Sequence, residues 1–179
     1  IRKDKLWFYA GVQWCETWQY PTGFPLPADT LQPRVFGKVS AQPTPTLSLS
    51  AWLEGDLWNV DDGGGSALTS PEATYRIRSS EIVGNFGLTK ILDPKTFFDL
   101  KGAFFSSHLT REPTAGMDAV SRREITLNNY KTGSYGSFVQ HEPSRAQLNA
   151  SFTHYTEDFI RGSHDFKFGA EFERSANKL

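Results

Sequence analysis

Four histidines, one cysteine and one acidic run are the side chains most able to do chemistry in this chain of 179 residues. His108, His141, His154 and His164 are scattered along it. A metal centre would need them to converge in space, so no metal and no cofactor is expected. Asp61-Asp62-Gly63-Gly64-Gly65 offers hard oxygen ligands of the kind calcium takes. It lacks the spaced ligands and terminal Glu of an EF-hand, and reads as a flexible loop tip. No P-loop, GxSxG or HExxH is present. The chain is therefore expected to bind or transport and not to be an enzyme.

The elements that would position such side chains come next. The length suits a single domain over 1–179. Lys and Arg number 19 against 20 Asp and Glu, a net charge of -1. That balance excludes the basic excess of a nucleic-acid binder, so no nucleic-acid partner is expected. Aromatic residues make up 14% of the chain, too many for a disordered segment. Cys15 stands alone, which rules out an internal disulfide. No apolar run approaches the ~18 residues of a membrane helix. Ile1-Arg2-Lys3-Asp4 has neither an initiator Met nor a signal-peptide core, so the chain reads as a piece of something longer.

Helical periodicity is nearly absent. Seven aromatic-rich segments alternate with period two between stretches of Gly, Pro, Asn, Asp and Ser. They run about Leu6–Trp18, Arg34–Gln42, Thr46–Trp58, from after Glu72 to Leu92, Thr96–Ser106, Arg145–Phe159 and His164–Arg174. Ile125, Leu127 and Tyr135 suggest an extra ribbon between the fifth and sixth. The connections are alternately long and short. Pro43-Thr44-Pro45, Asp93-Pro94-Lys95 and Arg161-Gly162-Ser163 mark the short ones.

Most segments reach the ~9–11 residues that cross a bilayer when tilted. Together these features predict an all-β, antiparallel, up-and-down transmembrane β-barrel. About seven strands supply an incomplete arc of it, with long extracellular loops and short periplasmic turns. Leu6, Phe8, Leu47, Leu49, Phe98, Leu100, Phe104, Phe152, Phe166, Phe168 and Phe172 are assigned to lipid. Cys15 reads as a small buried or lipid-facing residue. Lys38, Glu54, Asp56, Asp99, Lys101, Lys167, Glu171 and Glu173 are assigned to a wet lumen. They either pair with one another and with a plug, which is the preferred reading, or line a substrate route. Trp7, Tyr9, Trp14, Trp18, Trp58 and Tyr155 sit near strand ends, where an interfacial aromatic girdle belongs. Trp18, Tyr20, Phe24, Tyr130 and Tyr135 lie in connections; they could stack on a ligand or fold the loops together.

Ile1-Arg2-Lys3-Asp4-Lys5-Leu6-Trp7-Phe8-Tyr9 resembles the "IKKDKLWFF" turn-and-strand that follows the plug of TonB-dependent outer-membrane receptors. The subgroup is the one with an N-terminal carboxypeptidase-regulatory-like domain. Phe36–Ser40, Leu92–Leu100 and Gly162–Phe172 resemble later strands of the same barrel, the last being the most specific. The resemblance implies an outer membrane of the Gram-negative type and a barrel of ~22 strands with a plugged lumen. It implies TonB-driven uptake of a large, scarce extracellular nutrient such as a siderophore or oligosaccharide. The TonB complex would act through N-terminal parts that this sequence lacks: signal peptide, TonB box and plug are all missing, as is a closing strand. A soluble extracellular β-sandwich binding module and a passive porin-type channel are the alternatives. His164, in the Gly162–Phe172 motif, would order a periplasmic turn.

Overall fold

The computed structural model describes residues 5–157 and 159–178. The first four residues of the Ile1–Tyr9 motif lie outside them. Among the described residues the chain is all-β and antiparallel. Its strands are β1 (Leu6–Gln13), β2 (Glu16–Gln19), β3 (Ala28–Leu31), β4 (Arg34–Thr44), β5 (Leu47–Gly63) and β6 (Tyr75–Asp93). They continue with β7 (Thr96–Pro113), β8 (Arg122–Glu124), β9 (Tyr130–Thr132), β10 (Val139–Thr156) and β11 (His164–Lys178). The main sheet runs β1-β4-β5-β6-β7-β10-β11, a seven-strand meander in chain order. The sheet is open: β1 and β11 are its edges. β2 and β3 form a short ribbon laid onto the far end of β5, and β8 pairs with β9.

All short connections lie at one end of the meander. Thr44 pairs with Leu47 and Asp93 with Thr96, so two-residue loops join β4 to β5 and β6 to β7. In the second, Asp93 Oδ1 accepts the Lys95 N–H at 2.8 Å, the local bond that makes Asp a turn former. Pro43 and Thr44, expected in a turn, belong to β4, where a register shift follows Ala41. A bulge there accommodates a residue with no N–H to give. Between β10 and β11 the Phe159 N–H donates to Gly162 O, with positive φ at Ile160 and Arg161. His164 and Phe166 pack on Phe159 beside that turn.

The strands outrun the segments read from sequence. β5, β6, β7 and β10 are 17–19 residues long. Asp61 and Asp62 are therefore not a flexible tip but part of β5. Asp61 pairs with Arg78 at 2.6 Å, and Asp62 Oδ1 lies 3.2 Å from the Thr74 hydroxyl. Ile125 and Leu127 form an exposed single helical turn, and Tyr135 lies outside the β8–β9 ribbon.

The sheet carries no second layer among the described residues. Buried apolar side chains are confined to Val60, Ala73 and Ile77, all at the long-loop end. The accessible surface is 12248 Å². A compact monomer of 20.1 kDa would expose about 8700 Å². The excess reflects an open sheet both of whose faces stay accessible.

Candidate functional site: an apolar belt, a polar wall and a loop cap

Register settles which side chains share a face. One face carries all eleven residues assigned to lipid, along with Val12, Val35, Val39, Leu53, Leu57, Ile82, Phe86, Leu88 and Leu148. Phe8 and Phe168 are each 66% exposed and Phe172 63%. On β6 the apolar stretch of this face lies between Arg78 and Lys90; on β10 it lies between Glu142 and His154. No ionisable residue of that face falls between those limits on either strand.

The belt crosses the hydrogen-bonded ladder at an angle. Ile82, the last apolar residue of β6 toward the long loops, is linked through Ser106 and Ser144 to Ala176. On β11 the belt stops at Phe172, four residues short of Ala176. At the other margin Leu47 links through Lys90, Phe98 and Phe152 to Phe168, and the belt continues two residues further, to Phe166. Both margins drift the same way, by four residues over the three steps from β6 to β11 and by two over the four steps from β5 to β11, about one residue per strand on average. At about 3.3 Å per residue and 4.8 Å between strands, that is a tilt of roughly 35°.

The opposite face is polar and holds all eight charges assigned to a lumen. Arg34 bridges Glu54 at 3.2 Å and Asp56 at 3.3 Å. Arg145 pairs with Glu173 at 2.6 Å. Asp99 accepts from the Thr89 hydroxyl, and Glu171 from the Gln147 amide. Lys38, Lys101 and Lys167 have no ion-pair partner among the described residues. Lys101 and Lys167 border a groove of about 480 Å³ with Asp99, Asn149, Ser151 and Glu171. Arg34 and Arg145, which organise the acids, are missing from the sequence-based assignment. Only the register reveals that they face the same way as their partners.

The aromatic girdle needs correction. Trp7, Tyr9, Trp58 and Tyr155 fall on the polar face, beside Lys38, Glu54 and Lys167. Nearness to a strand end does not determine facing; parity does. Trp18, linked through Asp29 to Asp61, lies on the apolar side, beyond the end of the belt. Cys15 is exposed, in the link between β1 and β2.

At the long-loop end the three long connections form one cap. A side chain at Gly23 would collide with Ala67, and one at Gly65 with the Phe24 ring, so the β1–β4 and β5–β6 connections touch. The Ser70 N–H donates to Lys131 O and the Lys131 N–H to Leu68 O, which ties in the β7–β10 connection. Thr74, fully buried, donates to Pro71 O and meets the Thr114 hydroxyl. The Arg111 guanidinium lies 5.5 Å from the Tyr75 ring and 5.3 Å from that of Tyr135. Of the five loop aromatics, Phe24 and Tyr135 thus pack the cap and Tyr130 is half-buried in β9. Trp18 and Tyr20 stay exposed, so the five do not converge on one site.

The four histidines have separate surroundings. His108 meets Glu142, His154 the Thr96 hydroxyl and His164 the Phe166 ring, while His141 is exposed on β10 opposite Leu109. Among the described residues no cluster of potential metal ligands forms, and no helix is long and apolar enough to cross a membrane. Comparison with family models, curated proteins and solved structures finds no match.

Proposed function

We propose that this chain forms spanning strands of a TonB-dependent outer-membrane receptor, with the apolar belt in lipid and the polar face toward a water-filled lumen. The observation that carries the reading is the oblique, uncovered belt. Strands tilted against a horizontal lipid slab produce such a drift, because the slab ignores the ladder and follows depth. Twelve residues separate Arg78 from Lys90. At the same tilt they cover about 32 Å of depth, against about 30 Å of bilayer hydrocarbon. A soluble sandwich would bury the belt against a second sheet.

In lipid every backbone N–H and C=O must be paired. β1 and β11 therefore need further strands beside them, and the parent barrel supplies these. The cap then faces the outside, where it meets the nutrient. The lumen wall offers the ligand Lys101, Lys167 and their neighbours on its way through. Force reaches the barrel from TonB through a plug. The residue resemblance of Ile1–Tyr9, Phe36–Ser40, Leu92–Leu100 and Gly162–Phe172 supports this family over a passive porin.

The test is fractionation of cells expressing the full parent chain. Recovery with the outer membrane, and a gel mobility that changes on boiling, are expected; recovery as soluble protein overturns the membrane reading. Nutrient uptake should cease when the inner-membrane proton gradient is dissipated. Uptake that continues without the gradient favours the porin.

A further inference from the structure

The polar face carries an aromatic stripe that neither the belt nor the ion pairs require. Tyr9 on β1, Phe36 on β4 and Trp52 on β5 follow one another with ring centroids 5.8 and 5.9 Å apart. Tyr9 and Trp52 flank Lys38 on one ladder row, and Phe36 stands opposite Gly11 and Glu54. Tyr9 remains 64% exposed.

Gly11 leaves a hollow beside these rings. A groove of about 270 Å³ opens there, bordered by Tyr9, Gln13, Arg34 and Phe36. A Cβ on Gly11 would stand 3.4 Å from the Tyr9 hydroxyl, so the glycine keeps the floor low where the ring leans over it. Around the hollow are planar hydrogen-bonding groups: the Gln13 amide, the Arg34 guanidinium and, beyond it, the Glu54 and Asp56 carboxylates.

Phe36 and Trp52 are half-buried while the Tyr9 ring stands open, and an aromatic face on a wet, charged wall is costly to leave exposed. Their chemistry matches a ring that is apolar on one side and hydroxylated at its rim. An aromatic face is electron-rich and attracts the slightly positive C–H groups of such a ring. Planar amides, carboxylates and guanidinium groups take its hydroxyls. A strongly charged ligand fits less well, because the guanidinium beside the groove is already held by two acids and the flanking charges come with both signs.

We infer that Tyr9, Phe36 and Trp52 form a sugar-stacking platform on the polar face and that its ligand is a neutral oligosaccharide. The inference rests on the polar face being wet, as the receptor reading has it, and it narrows that reading to one nutrient class.

The experiment titrates the detergent-purified full parent chain with maltohexaose, cellohexaose, xylohexaose and chitohexaose by calorimetry. At least one is expected to bind at millimolar concentration or tighter. Tyr9→Ala and Trp52→Ala should each weaken that binding about tenfold, while Lys95→Met, in the short turn between β6 and β7, leaves it unchanged. No binding of any of these sugars overturns the platform, and so does binding that survives both aromatic substitutions. Heat-dependent gel mobility of the same samples reports barrel assembly separately. A chain that assembles but binds no sugar refutes the platform alone. A chain that never enters the membrane refutes the receptor reading.

Discussion

Arg111 and Tyr135 meet across the cap, the guanidinium carbon 5.3 Å from the ring centroid, with Tyr75 packed edge-on against Tyr135 and 5.5 Å from the same carbon. Arg111 has no ion-pair partner among the described residues, so the two rings are what hold it. A cation over an aromatic face is worth ~0.5–2 kcal/mol, depending on how dry it is. Arg111→Met keeps most of the stem and removes the charge. We expect amide hydrogen exchange at Ser70 and Lys131, which clamp the connections together, to accelerate about 3–30-fold. Exchange in mid-belt amides such as Leu100 should stay the same. Equal acceleration in both places would mean that the clasp is not local to the cap.

Phe86 and Gly102 form a second matched pair, on the apolar face. They are direct ladder partners, and a Cβ on Gly102 would overlap the Phe86 ring. The ring lies flat over a glycine that has no side chain of its own to present. Gly102→Ala should cost about 1–3 kcal/mol through overpacking. In Phe86→Ala the same glycine substitution should cost clearly less, since residues in contact are non-additive. Denaturant titration of the assembled protein in a double-mutant cycle measures the difference. Simple additivity would show that the ring does not rest there.

Much of this architecture is legible from alternation. Within the belt, Leu47, Leu49, Ala51 and Leu53 contrast sharply with Ser48, Ser50, Trp52 and Glu54. Beyond the belt the contrast disappears. Asn59, Arg78 and Thr110 occupy positions that would be apolar lower down, while Val60, Ile77 and Leu109 make the other face apolar, so the alternation inverts and no longer reads as a continuation of the belt. For that reason the strands continue to Gly63 and Pro113 without a signal in the sequence. β3 was hidden differently: its four residues lie between Pro27 and Pro33, which read as a loop. The Arg34 and Arg145 pairs depend on register, and neither composition nor spacing carries that information.

Glu72 supplies a pH-dependent element of the cap. It is exposed, on the turn Pro71–Ala73. Its own backbone N–H, foremost, holds its carboxyl below the usual range, with the Gly133 N–H adding to this. A folded-state value below the unfolded one stabilises the cap above the ordinary carboxylate range. The contribution is lost as pH falls toward and through the folded value. An NMR titration of the Glu72 carboxyl should give a midpoint below 4.5. A midpoint at or above the ordinary value in the native chain would remove the carboxylate from any role in holding the turn.

Tilt makes the sharpest prediction. Phe86 on β6 and Phe172 on β11 belong to the same ladder row, connected through Gly102 and Leu148. In a flat sheet packed under a second layer they would lie at equal depth. With the strands tilted by roughly 35°, Phe172 rises about 8 Å above Phe86 toward the long-loop margin. The belt itself agrees, since Arg174 follows two residues after Phe172 while Phe86 has apolar neighbours on both sides. Arginine on the lipid face of a barrel costs about 2–4 kcal/mol at the midplane and about 0–1 near the interface. Phe86→Arg should therefore block assembly of the parent barrel or destabilise it by the larger amount, and Phe172→Arg should be tolerated. Lys167→Arg, on the polar face, should have no effect. The measurement is the assembled fraction in lipid vesicles across a denaturant series. Equal penalties at Phe86 and Phe172 would contradict the oblique belt, even if both positions prove to face lipid.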